Sequence, residues 1–91
     1  MRLLWTREAL EDYQYWPRSD PKVAAAIDAL INDIREHGPF QGIGKPEPLR
    51  HALNGWWSRR TTREHRLVHR VGKGTAQQLE IAACRYHYSM P

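Results

Sequence analysis

One cysteine, one phenylalanine and two methionines are all that the 91 residues hold of those types. A single cysteine excludes an internal disulfide. No apolar run approaches ~18 residues, so no membrane-spanning helix is expected. The start, Met1-Arg2-Leu3-Leu4-Trp5, lacks the apolar stretch and small-residue cleavage site of a signal peptide. Together these point to a cytoplasmic protein. Acidic residues are scarce in one half only. Residues 1–37 carry seven Asp/Glu and five Lys/Arg, a balance of −2, whereas residues 38–70 carry seven Lys/Arg against Glu47 and Glu64, a balance of +5. The remainder adds +1, giving the net +4. A neutral scaffold followed by a basic half suits a surface that faces a polyanion, although a solvated basic sheet face gives the same count.

What is there reads as one domain, residues 1–91, with room for one modest core. Leu3-Leu4-Trp5 is a short apolar run and a candidate first strand. Thr6 is placed to cap a helix whose apolar face is Leu10, Tyr13 and Trp16 and which Pro17 is expected to end. A second helix starts from Asp20 as cap with Pro21 at its first position. Its stripe is Val23, Ile27, Leu30, Ile31 and Ile34, and it stops at Gly38 and Pro39. A Gly/Pro-rich loop follows, with Glu47 held between Pro46 and Pro48. Leu49, His51 and Leu53 alternate briefly before the Asn54-Gly55 turn. Strands are expected over 56–61, 64–71 and 78–88 on short connections, an antiparallel meander. The fold class is therefore α+β, two N-terminal helices on one face of a mainly antiparallel sheet.

Most familiar site chemistries fail on this pattern. His65 and His69 have a spacing that binds zinc on a helix, but on a strand their rings stand ~13 Å apart. There is no acidic cluster for magnesium, and no metal or cofactor is expected. Cys84 and His87 are three apart on a strand and point to opposite faces, so Cys84 reads as a small core residue rather than a nucleophile. Gly42-Ile43-Gly44-Lys45 lacks the spacing of a phosphate loop. What survives is an acid–base set with arginines. RNA cleavage by the substrate's own 2′-hydroxyl needs a base, an acid and positive charge at the phosphate. Glu47 suits the base if partly buried, and His87, with an intrinsic pKa near ~6.5, suits the acid. Arg60, Arg66 and Arg85 are candidates for the phosphate, with Lys45 and Arg59 beside them. Trp56, Trp57, Tyr86 and Tyr88 are candidates to stack on bases, with one of the two tryptophans turned toward the core. Each has a plainer reading: Glu47 paired with Lys45 or Arg50, Arg66 a solvated strand residue, His87 idle at an exposed end.

Four ordered motifs are more specific than any one residue. They are Gly44-Lys45-Pro46-Glu47-Pro48-Leu49, Trp57-Ser58-Arg59-Arg60, Glu64-His65-Arg66-Leu67-Val68, and Ala82-Ala83-Cys84-Arg85-Tyr86-His87-Tyr88. With Leu4-Trp5, Asp12-Tyr13 and Tyr15-Trp16 they span nearly the whole chain, which resembles the Txe/YoeB toxin family of the RelE superfamily. The resemblance implies a toxin of a type II toxin–antitoxin pair that cleaves mRNA at the ribosomal A site and stops translation. It places the general base on Glu47, the phosphate-stabilising arginine on Arg66, the general acid on His87 and the terminal aromatic residue on Tyr88. Arg50 matches a supporting basic site and Arg60 an RNA-contacting arginine. The partners implied are a YefM-like antitoxin, the ribosome with its mRNA, operator DNA through the antitoxin, and a second copy of the chain as a homodimer. Two features depart from the family pattern: a longer Gly72–Gln78 connection, and Ser89-Met90-Pro91 beyond the tyrosine. A catalytically silent RNA- or ribosome-binding module, or a co-repressor acting with its antitoxin, are the alternatives.

The last strand poses a geometric conflict. Strict alternation sets His87 on the face of Leu79, Ile81 and Ala83. Leu67 and Val71 mark the core face of the neighbouring strand, leaving Arg66 on the open one. For His87 and Arg66 to meet one phosphate, the strand has to bulge, twist or leave the sheet. Regular pairing is expected to stop near Arg85, with His87 swinging toward Glu47 and Arg66.

Overall fold

The computed structural model describes residues 1–72 and 77–86. The chain begins with strand β1 (Arg2–Trp5) and helices α1 (Arg7–Ser19) and α2 (Pro21–His37). A two-residue strand β2 (Glu47–Pro48) and a 3-10 turn (His51–Leu53) lead to β3 (Trp57–Arg60), β4 (Arg66–Gly72) and β5 (Gln78–Ala83). One five-stranded sheet runs in the order β1-β5-β4-β3-β2. Only β1, returning to lie beside β5, is parallel; the rest is the expected meander.

Both caps are as the sequence requires. Thr6 Oγ1 accepts from Ala9 N at 3.1 Å, and Asp20 Oδ1 accepts from Lys22 N at 3.1 Å. The α2 stripe is wholly buried and meets Leu67, Leu79, Ile81 and Cys84 from the sheet. Three expectations need correcting. Pro17 lies inside α1, which runs two residues further. Its missing N–H removes one late bond, but the turn still closes through Asp20 N donating to Trp16 O, and Trp16 is anchored in the core. Leu10 is 41% exposed, because the buried side of α1 runs through Ala9 and Trp16 instead. Leu49, His51 and Leu53 do not alternate along a strand: His51 takes φ 57° and opens the 3-10 turn.

Register assigns the faces of the sheet, since cross-strand partners share a side and alternate residues return to it. Arg59 opposes Leu67 and Trp57 opposes His69, on the helix-covered side. Glu47 opposes Ser58, Ser58 opposes Val68, and Arg60 opposes Arg66, on the open side away from the helices, where Ser58 and Val68 are buried while Glu47 and Arg60 are exposed.

Candidate active site

Arg59 was expected at RNA, and its parity on β3 decides otherwise. Its side chain is fully buried under the helices. Nη1 donates to Asp33 Oδ2 at 2.6 Å and to Ile43 O at 3.1 Å, while Nη2 donates to Gly38 O at 3.0 Å and Gln41 O at 2.7 Å. Asp33 also accepts from Ile43 N at 3.1 Å, and the guanidinium beside it holds its carboxyl below the usual carboxylate range. One buried fork thus ties α2 to the loop over residues 38–43 and fixes the start of β2. Gly44 then passes so close to Leu30 and Arg59 that a Cβ there would meet Leu30 Cδ2 at 2.7 Å. Lys45, exposed and at φ 52°, turns the chain into Pro46 and Glu47. The sequence signal for this hub was present but faint: an acid at the border of the α2 stripe, and an arginine in phase with the core residues of its strand.

Glu47 itself is exposed, not partly buried as expected, because β2 is the sheet edge. Among the described residues it forms no ion pair with Lys45 or Arg50. Arg66 stands two strands away on the same open face, roughly 12 Å between backbones from ordinary strand spacing. Its Nη1 donates to the carbonyls of Thr62, Arg63 and His65 at 3.1, 3.2 and 3.0 Å. Among the described residues that is the only nitrogen of the guanidinium engaged, so the planar group is oriented by its own loop while Nε and Nη2 stay uncommitted. Arg50 and Arg60 are exposed, and Arg60 N is pinned to Gly44 O at 2.7 Å.

The aromatic candidates divide between the faces. Trp57 lies on the helix side and packs against Phe40, with ring centroids 4.9 Å apart, so it is turned away from Glu47. Trp56 lies under the Arg70 guanidinium at 4.2 Å, and Arg70 pairs with Glu80. A cavity of about 220 Å³ opens at this end of the sheet, away from Glu47 and Arg66. Arg85 is half-buried and stacked, 3.6 Å from the Tyr15 ring centroid and 4.8 Å from that of Tyr86. Tyr86 is 58% exposed.

A bulge interrupts the last strand. Val68 lies opposite Ala83 but His69 lies opposite Ile81, so Ala82 is the extra residue. The extra residue reverses the parity: Ala83 joins the open face with Val68, and Cys84 turns into the core. Regular pairing therefore ends at Ala83, two residues earlier than expected. Side chains of α1 take over from the ladder. Thr6 Oγ1 donates to Ala82 O at 3.0 Å, Asp12 Oδ2 accepts from Cys84 N at 3.1 Å, and Trp16 Nε1 donates to Cys84 O at 3.0 Å. Burial pushes the Cys84 thiol up to about 12, which suits the core role read from the sequence. His87, Tyr88 and the Ser89-Met90-Pro91 tail lie outside the described residues, as does Gly74 in the β4–β5 connection.

His65 and His69 do not meet. His69 is buried on β4 beneath the helices, whereas His65 precedes the strand. Among the described residues no three His, Cys, Asp or Glu side chains group as ligands, and no helix is long and apolar enough to cross a membrane.

Comparison with known proteins agrees with this architecture. Residues 5–88 match the family described as YoeB-like toxin of bacterial type II toxin-antitoxin system. Toxin YoeB of Escherichia coli strain K12 is 53% identical over 88 residues, covering 97% of this chain and all of that one. The YoeB/ParE toxin from Agrobacterium tumefaciens superposes with a TM-score of 0.90 at 46% identity, over 97% of this chain and 100% of that one. The toxin in a YoeB-YefM complex from Staphylococcus aureus superposes with a TM-score of 0.86 at 39% identity, over 97% and 98%. Matches of this extent leave no segment of the fold unaccounted for, and the chain belongs to the YoeB family of toxins of bacterial type II toxin–antitoxin systems.

Proposed function

We propose that this toxin is a metal-independent, ribosome-dependent endoribonuclease that cleaves mRNA in the ribosomal A site and so inhibits translation. The observation that carries the reading is the register that sets Glu47, Arg60 and Arg66 on one face of the sheet, away from the helices. Glu47 takes the proton of the 2′-hydroxyl as its oxygen attacks phosphorus. Arg66 stabilises the charge that gathers on the phosphoryl oxygens, where a preoriented guanidinium is most effective. His87 gives a proton to the departing 5′-oxygen, leaving a 2′,3′-cyclic phosphate and a free 5′-hydroxyl. Tyr88 completes the catalytic set. Lys45, Arg50 and Arg60 attract the backbone, and Tyr86 offers a face for a base. Arg59 and Trp57 leave the RNA-contacting set, and Arg85 contributes through stacking with Tyr15 and Tyr86. An exposed base at a sheet edge suits a substrate that arrives already positioned on the ribosome, which supplies part of the orientation that a deep pocket otherwise gives.

A YefM-like antitoxin is the proposed regulator, covering this face and carrying the toxin to operator DNA. The Staphylococcus aureus YoeB-YefM complex supports that partner class.

The test is cleavage on programmed ribosomes in EDTA, with the new ends analysed. Wild type should yield cyclic phosphate ends, with Glu47→Gln and His87→Ala slower by about 10²–10⁴-fold. Cleavage that disappears in chelator, or that proceeds unchanged in both variants, would overturn the mechanism.

A further inference from the structure

His65 carries no role in the chemistry above, yet it makes an unusual contact. It sits in the connection between β3 and β4, where Thr61 N donates to its carbonyl at 3.1 Å. Its ring meets the edge of Trp16, centroids 4.6 Å apart, and lies 5.4 Å from the Tyr86 ring. Its Nδ1 accepts the backbone N–H of Tyr86 at 2.7 Å. The Tyr86 carbonyl in turn accepts from Arg66 N at 3.1 Å. Tyr86 is thus gripped at both its backbone polar groups, by two consecutive residues, in a left-handed conformation at φ 61°.

That conformation is disfavoured for a tyrosine and persists only where surroundings hold it. Beyond Ala83 no ladder partner is left for Tyr86 N, so the imidazole stands in for the missing strand. An imidazole accepts through one nitrogen only when neutral, with its proton on the other. Packing beside Trp16 alone gives no reason for an acceptor aimed at one N–H.

We propose that His65 is a positioning residue for cleavage: its Nδ1 locks the Tyr86 peptide in the left-handed turn from which the chain continues into His87 and Tyr88. The role rests on the ribonuclease reading. The bulge at Ala82 shifts the parity of the strand, Asp12 and Trp16 hold Cys84, and His65 holds the peptide that precedes the proposed acid. Misplacing a catalytic group by about an ångström costs up to about 10²-fold.

The test begins with the unsubstituted toxin. Nitrogen-15 NMR of the imidazoles should show His65 with Nδ1 bare and its proton on Nε2, and the Tyr86 amide should exchange slowly. A His65 protonated on Nδ1 at neutral pH would overturn the proposal without any variant having to fold. His65→Phe keeps a ring beside Trp16 and removes the acceptor. His65→Asn sets an amide oxygen near the Nδ1 position. Single-turnover cleavage on programmed ribosomes should fall about 10–100-fold in His65→Phe with ribosome affinity unchanged, and most of it should return in His65→Asn. Full-rate cleavage by His65→Phe, or an equal defect in both variants, would assign His65 to packing alone. His87→Ala runs beside them. Wild type active, His87→Ala inactive and His65→Phe unimpaired overturns only the positioning role; a wild type that does not cleave overturns the ribonuclease reading and the positioning role with it.

Discussion

His69 shows how a single buried residue sets a condition on the whole fold. Its ring is fully buried between Trp57 and Ile81 on neighbouring strands, and neither nitrogen has a hydrogen-bond partner among the described residues. Burial, with the Arg59 charge nearby, lowers its pKa from 6.5 to about 4. The neutral ring is the form the fold accepts, so the unfolded chain binds the extra proton between those values. Stability is then complete above pH 6.5 and is lost as pH falls toward 4. At pH 4.5 the loss from this residue is roughly 2–3 kcal/mol. His69→Leu should abolish that acid-sensitive component and add about 1 kcal/mol at neutral pH by removing two unsatisfied groups. Urea denaturation at pH 7.5 and 4.5 checks both; a variant as acid-sensitive as wild type across this window would refute the assignment. The contrast with His65 is instructive, since two histidines four apart in sequence occupy environments that share nothing.

At the scale of elements, the loop between α2 and β2 is held by one guanidinium rather than by its own backbone. Four acceptors on Asp33, Gly38, Gln41 and Ile43 converge on Arg59. Arg59→Met fills the volume but leaves the carbonyls of Gly38, Gln41 and Ile43 without their donor, and should lower stability by about 1–3 kcal/mol in urea denaturation. Arg59→Lys keeps the charge but offers a point in place of a fork, and should recover only part of the loss. A full recovery by lysine would mean that charge alone, not the geometry of the donors, holds the loop. The consequence for the proposed chemistry is direct, because Glu47 follows within a few residues of the held segment.

For the whole molecule, the division of charge along the chain becomes a division of faces. The acidic first half supplies the helices, and the basic half supplies the strands and loops around the open face. Arg60 and Arg66 belong to that face, whereas Arg59 is spent inside. Binding to an RNA-rich partner should therefore weaken as salt rises. Arg60→Gln should lower ribosome affinity and reduce the slope of log affinity against log salt by about 0.7–1. A slope unchanged in the variant would remove Arg60 from the contact surface.

Periodicity and turn chemistry made much of this legible in sequence. The buried stripe of α2, the caps at Thr6 and Asp20, the Asn54-Gly55 turn and the three-strand meander depend on neighbours within a few residues. So did the family, through four motifs in order, and the need for a bulge in the last strand, from a conflict of parity between β4 and β5. Only tertiary structure decided where that bulge falls, because Ala82 is selected by Thr6, 76 residues away. The fate of Arg59 was likewise undecidable locally: Arg59 and Arg60 are adjacent and alike, and burial of one requires Asp33 of α2 to lie across from it. A side chain's type is written in the chain, but the face it takes and the partner it finds are set by contacts between elements distant in sequence. That is why the family of this toxin could be read before its geometry.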